Sequence, residues 1–161
     1  MMDTIYVDTR EKPNAIAGIL SEFDRLGINV IRQKLDEGDY MASPVGSITV
    51  EGKQNLEEIG GNLTWGKDRF QRELRRANIK GINVYVLCEH GEGIKCLRDV
   101  LGWINPRVRE SPKTVSGARL YQLMFSYSSK YGVKWLFCDK SQTGGEIVRI
   151  LTGGSTSKFT N

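Results

Sequence analysis

Gly38-Asp39-Tyr40 and, eleven residues further on, Val50-Glu51-Gly52-Lys53-Gln54-Asn55-Leu56-Glu57-Glu58-Ile59 are the two segments on which the reading of this chain turns. Alternating apolar residues over 47–53 predict a β-strand, and residues two apart on a strand point to the same face. Glu51 and Lys53 therefore share one face, and Val50 and Gly52 share the other. Asp39 stands where the preceding short strand, 40–42, begins. Pro44, Val45 and Gly46 supply a turn between the two strands, so a hairpin can bring Asp39 beside Glu51. The same letters also fit an exposed strand with an i,i+2 ion pair.

The surrounding chain narrows the choice. Residues 5–8 form a short β-branched run and predict a buried strand. Pro13 suits a first helical turn. Ile16, Ile19, Leu20, Phe23 and Leu26 then mark one helix face, with Gly27 as its stop. Residues 28–34 read as a second strand, and strands two to four as an antiparallel meander. A short helix is expected over 55–59, followed by a glycine-rich loop over 60–66 that can fold over a substrate. The next helix runs to about Lys80, with Phe70, Leu74 and Ala77 as its apolar face. Residues 82–89 are apolar enough for a central strand. A short helix over 93–101, a proline-containing connector over 103–113, a helix over 120–131, a strand over 133–138 and a helix over 145–151 complete the order. The expected architecture is an α/β domain over residues 1–152, a mixed sheet flanked by helices, with a polar tail at 153–161.

Composition excludes several classes. No apolar run approaches the roughly 20 residues that span a bilayer, and the N-terminal stretch has no basic region followed by an apolar one, so a cytoplasmic protein without a signal peptide is expected. Cys88, Cys96 and Cys138 contain no CxxC pair and read as reduced thiols. His90 is the single histidine, so a zinc site or a histidine-based triad would rest on it alone.

The net charge of +4 is unevenly distributed. Residues 67–80 carry six basic and two acidic side chains, whereas 36–58 carry six acidic and one basic. An acidic cluster next to a basic helix suits a metal site beside a polyanion track. Two adjacent carboxylates repel, and a divalent cation relieves that repulsion. Mg²⁺ takes hard oxygen ligands and keeps several waters. Asp8 and Glu11, at the end of the first strand, add two more carboxylates where ligand sites collect in α/β sheets.

The Asp39…Glu51-x-Lys53 set resembles the D…ExK arrangement of the PD-(D/E)XK nucleases. Val7-Asp8-Thr9-Arg10-Glu11-Lys12-Pro13, Gly38-Asp39-Tyr40 and the 50–59 segment together resemble, in order and spacing, the XPF-type structure-specific endonucleases. That family carries a VDxRE start and then GD…ERKxxxD. The resemblance implies a restriction-endonuclease-like fold and DNA hydrolysis with Mg²⁺ or Mn²⁺. By the same resemblance Asp39 and Glu51 bind the ion, with Asp8 and Glu11 as accessory acids that ligate it or support its waters. Lys53 becomes the catalytic lysine. Arg10 meets a phosphate or pairs with a nearby carboxylate. Two positions depart from the pattern: Gly52 stands for the family arginine, and Glu57 for the aspartate after the lysine.

Family members usually append a helix-hairpin-helix module, and this chain is similar to stand-alone forms found in phages and prophages. They commonly pair through their nuclease domains, which makes a homodimer through the 120–131 helix an expectation. Branched or flapped DNA is the implied substrate, with plain duplex or single strands as the fallback, in keeping with roles in DNA repair and recombination. An inactive DNA-binding partner subunit is the alternative, and a sequence-specific restriction-type nuclease on the same fold is a third.

Arg69, Arg72, Arg76 and Lys80 fall opposite the apolar face of their helix and are the expected phosphate contacts. Arg107, Arg109 and Lys113 are weaker candidates. Trp65 is read either as a base-stacking side chain or as core. Tyr127, Tyr131 and Trp135 are at core spacing, available for packing or a dimer face.

Overall fold

The computed structural model describes residues 2–43 and 46–153. Six strands form one mixed sheet in the order β2-β1-β3-β4-β5-β6: β1 (Thr4–Val7), β2 (Asn29–Arg32), β3 (Tyr40–Ala42), β4 (Ile48–Lys53), β5 (Asn83–Cys88) and β6 (Lys134–Phe137). Five helices flank it: α1 (Ala17–Arg25), α2 (Leu56–Leu63), α3 (Lys67–Ile79), α4 (Gly117–Tyr131) and α5 (Thr143–Leu151). This is the expected α/β layering. Part of the predicted 44–46 turn and most of the predicted tail, at 44–45 and 154–161, lie outside the described residues.

Both faces of the sheet are covered, so the inner strands lose the apolar–polar alternation of a one-sided sheet. On one face Leu56, Ile59, Phe70, Leu74, Leu120 and Met124, from α2, α3 and α4, pack on Met41, Val84 and Val86. On the other, Ile16, Ile19 and Phe23 from α1 and its approach join Ile147 and Ile150 from α5 over Ile5, Val7, Tyr40, Val50 and Leu87. Phe70 stacks on Tyr127 with ring centroids 5.9 Å apart, and the buried Trp135 donates its indole N–H to Met124 O at 2.8 Å. Tyr127 and Trp135 thus belong to the core.

The predicted meander of strands two to four is corrected. The β3–β4 pair is antiparallel, with Tyr40 opposite Val50, but β2 pairs with β1 alone and runs parallel to it. The physical reason is the helix between them: a strand–helix–strand crossover closes as a parallel pair. The chain then returns past β1, and β3 pairs antiparallel on its other side.

The glycine-rich loop is also corrected. α2 continues through Gly60 and Gly61 to Leu63. Asn55 caps it by accepting the Glu58 N–H at 2.9 Å. Gly60 is buried, and a Cβ there would lie 3.0 Å from the Val115 side chain. Glycine at this position lets α2 pack closely on Val115. The expected helix over 93–101 is a 3₁₀ segment, Leu97–Gly102, and a second 3₁₀ turn, Pro106–Arg109, sits in the connector. Pro13 lies in turns before α1 rather than in its first turn, while Gly27, at φ +73° just past the end of α1, stops that helix as expected.

Candidate active site

The site is built where β3 begins and β4 ends. Asp39 is fixed through its backbone: its N–H donates to Val50 O at 2.8 Å, and its carbonyl accepts the Asp8 N–H at 2.9 Å. Its side chain turns toward β4, where Oδ2 accepts the Gly52 N–H at 2.8 Å. Gly38 makes this placement possible. Its φ is +73°, and a Cβ there would sit 2.0 Å from Thr49 Oγ1, so only glycine fits.

Glu51 and Lys53 leave β4 on one face, as the period of two requires. Lys53 Nζ stands 3.4 Å from Glu51 Oε1, and both side chains are nearly buried, at 11% and 12% exposure. Burial pulls the lysine pKa down, but Glu51, Glu58 and Asp39 outweigh it and hold it above its usual value. Lys53 is therefore a charged ammonium.

The other Glu51 oxygen, Oε2, is buried and has no hydrogen-bond partner. Asp39 is pushed up to about 9 by burial, reinforced by the charges of Glu51 and Glu11, against the opposing Gly52 hydrogen bond. Two carboxylates are thus held together against their own electrostatics.

A third carboxylate was not predicted. Glu73, on α3, accepts the Gly38 N–H at 3.1 Å and is pushed up to about 7 by burial and by Glu51. Asp8, Glu11, Asp39, Glu51, Glu73, Arg69, Arg72 and Arg76 all border one cleft of about 320 Å³. A signal for Glu73 exists in the sequence: it lies three residues after Phe70 and four before Ala77, on the inward stripe of the helix.

The remaining predicted residues separate into groups. Asp8 is 2% exposed and already engaged, with Oδ1 accepting from Leu35 N at 2.9 Å and Oδ2 from Arg10 Nε at 2.7 Å. Arg10 also donates to Leu35 O at 2.7 Å. This pair ties the end of β1 to the loop that delivers Asp39. Lys80 does not border the cleft; it bonds Glu37 at 2.8 Å and stands 3.5 Å from Asp36. The acid that reaches Lys53 from α2 is Glu58, at 3.8 Å, and it also accepts the Gln54 N–H at 2.8 Å. Glu57, the position matched by the resemblance, turns away and borders two other clefts.

Mg²⁺ is commonly held by one or two carboxylates and several waters. Among the described residues no group of three or more His, Cys, Asp or Glu side chains is arranged to hold an ion. The donor set nonetheless fits such an ion: Glu51, with one buried oxygen left without a partner, borders the same cleft as Asp39, a carboxyl that burial and its acidic neighbours hold back from ionising.

No protein-family model matches the sequence, and no curated protein matches it significantly. Among solved structures, XPF from Aeropyrum pernix superimposes with a TM-score of 0.63 and 24% sequence identity, over 96% of this chain and 68% of that one. No helix among the described residues is long and apolar enough to cross a membrane. A six-stranded mixed sheet, helices on both faces and an acidic cleft where β3 begins and β4 ends are thus laid out on the fold of XPF.

Proposed function

We propose that this chain is a divalent-metal-dependent endonuclease that hydrolyses DNA phosphodiesters, with branched or flapped DNA as its substrate. The observation that carries the proposal is the orphaned Glu51 Oε2 beside the up-shifted Asp39, with Lys53 adjacent. The shared fold with XPF supports it.

In this reading Asp39 and Glu51 hold Mg²⁺ or Mn²⁺. The ion when bound polarises a phosphoryl oxygen and makes its water more acidic. Lys53 keeps its proton, orients the attacking water and stabilises negative charge as it builds on the phosphoryl oxygens. Glu11 and Glu73 face the same cleft and accept hydrogen bonds from ordered water. Arg69 and Arg72 hold the strand by its phosphates. Two copies pair through α4, whose Phe125 is exposed.

The alternative, an inactive DNA-binding partner, draws on Gly52 in place of the family arginine. The survival of both carboxylates, Asp39 and Glu51, with Lys53 3.4 Å from Glu51, weighs toward activity. A nicking assay with Mg²⁺ on flap, junction and duplex DNA decides between them. The wild type cleaves and Lys53→Ala loses at least about 1,000-fold in rate. Equal behaviour of the two proteins refutes the enzymatic reading.

A further inference from the structure

Trp65 is 89% exposed, although tryptophan is among the most apolar-rich side chains of any chain. Its placement is not accidental slack. A Cβ at Gly61 would lie 3.2 Å from the indole, so one part of the ring rests on the α2 backbone at a position kept bare by glycine. The rest of the ring borders a cleft of about 330 Å³.

The cleft combines Trp65 with Thr64 and Thr114, two cations, Arg107 and Lys113, and two acids, Glu57 and Glu110. Arg107 stands 3.9 Å from Glu110. The charges balance, which suits an uncharged planar heterocycle better than a run of phosphates. Phosphate affinity lies next door: Lys67 opens α3 two residues after Trp65, and Arg69 and Arg72 follow along that helix. Trp65 thus stands two residues before the helix that carries these cations.

We infer that Trp65 is a stacking platform for an unpaired nucleobase, so that the protein holds a single-stranded segment at the α2–α3 corner while the acidic cleft holds the phosphodiester. The inference rests on the nuclease reading above and adds to it a site for single-stranded DNA. Stacking tolerates any base, because every base has a π-face. The bases of an intact duplex are already stacked on one another, so the platform selects DNA with an unpaired end or branch.

The two other tryptophans, Trp103 and Trp135, are buried at 9% and 4% exposure, so a change in intrinsic fluorescence on adding DNA reports on Trp65. The test is titration of the whole protein with short oligothymidine and, separately, with blunt duplex, both in EDTA so that nothing is cleaved. Oligothymidine is expected to quench the emission. Trp65→Ala is expected to abolish the quench and weaken single-strand affinity about tenfold, with duplex affinity changed less than about twofold. Trp65→Phe should retain most of the single-strand affinity. An exposed side chain is being removed, so an unchanged thermal midpoint accompanies the expected result.

Absence of quenching overturns the inference, as does wild-type single-strand affinity in Trp65→Ala or an equal loss on duplex. Emission that shifts with protein concentration and not with DNA also overturns it, since a second copy then covers the ring. If cleavage with Mg²⁺ persists in any of these cases, the platform alone has failed. If neither cleavage nor DNA binding occurs, the nuclease reading has failed with it.

Discussion

Glu37 and Asp39 are two residues apart, and both carboxyls are largely withdrawn from water, yet their surroundings are opposite. Glu37, 4% exposed, meets Lys80 at 2.8 Å and Arg76 at 3.7 Å, with Asp36 beside the same lysine. Asp39 meets Glu51 and Glu11 instead, and its ionised form is held back accordingly. The first is a closed ion-pair network whose charges answer one another. In the second, the carboxyls of Asp39, Glu51, Glu11 and Glu73 outnumber the one lysine among them, Lys53, and negative charge is left in excess beside the cleft. Burial of an acid is therefore not what distinguishes a site; the sign of its neighbours is. Buried charges are tolerable when paired, and a cluster with acids in excess of bases is completed by something else, a proton or a cation.

The contrast can be broken most forcefully at Asp39. Asp39→Asn is expected to lower cleavage at least about 1,000-fold in a Mg²⁺-dependent nicking assay while raising the melting temperature of the metal-free protein. Glu37→Gln should do the reverse: cleavage within about twofold of wild type, and a melting temperature lower by about 2 °C, since one buried carboxylate loses its pairing with the half-exposed Lys80 and Arg76. If both variants lose stability, the two clusters are the same kind of object and the comparison fails.

Metal and pH sharpen it next. The Asp39 pKa is raised on folding, so the folded state binds the extra proton. Stability contributed by this group is full below the unfolded carboxyl value and falls as pH rises toward about 9. Glu73 adds a loss of the same sign, complete by about 7. Millimolar Mg²⁺ competes with these protons and should raise the melting temperature by about 5 °C at pH 8 and little at pH 5. Scanning calorimetry across pH with and without EDTA reads this directly, and an unchanged midpoint at pH 8 removes the ion from Asp39 and Glu51.

The smallest expected effect separates the basic residues. Arg72, at the cleft, should act on phosphate: Arg72→Ala lowers the slope of log affinity against log salt by about 1. Lys80, committed to Glu37 and Asp36, should leave that slope unchanged when replaced by alanine. Equal slopes for the two variants would place both on the DNA or neither.

The acid–acid–lysine set was legible in the sequence because strand periodicity and one short turn suffice to bring Asp39, Glu51 and Lys53 together. Glu73 was not, because an acid on a helix rich in charge reads as one more solvated side chain until the helix phase is fixed against Phe70 and Leu74. The exchange of Glu57 for Glu58 has the same origin. Spacing matched Glu57 to the family aspartate, but the start of α2 at Leu56 sets the helical phase that carries Glu58 toward Lys53. Strand adjacency was hidden for another reason: β2 reads as a neighbour of β3 in sequence, and only the packing of α1 against the sheet sends it to the far side of β1. At 60–66, three glycines resembled loop chemistry. In the fold, Gly60 instead serves contact with Val115, and Gly61 leaves room for the Trp65 ring.

Gly38 makes this architecture vulnerable at a point that bears no charge. One added methyl would meet Thr49 Oγ1 and demand a backbone conformation that L-residues rarely adopt, and the hydrogen bonds on either side of it, to Glu73 and from Asp39 to Val50, would move with it. An alanine there is thus a remote off-switch: every acid, base and arginine of the cleft remains in the chain, and hydrolysis still fails for want of empty space.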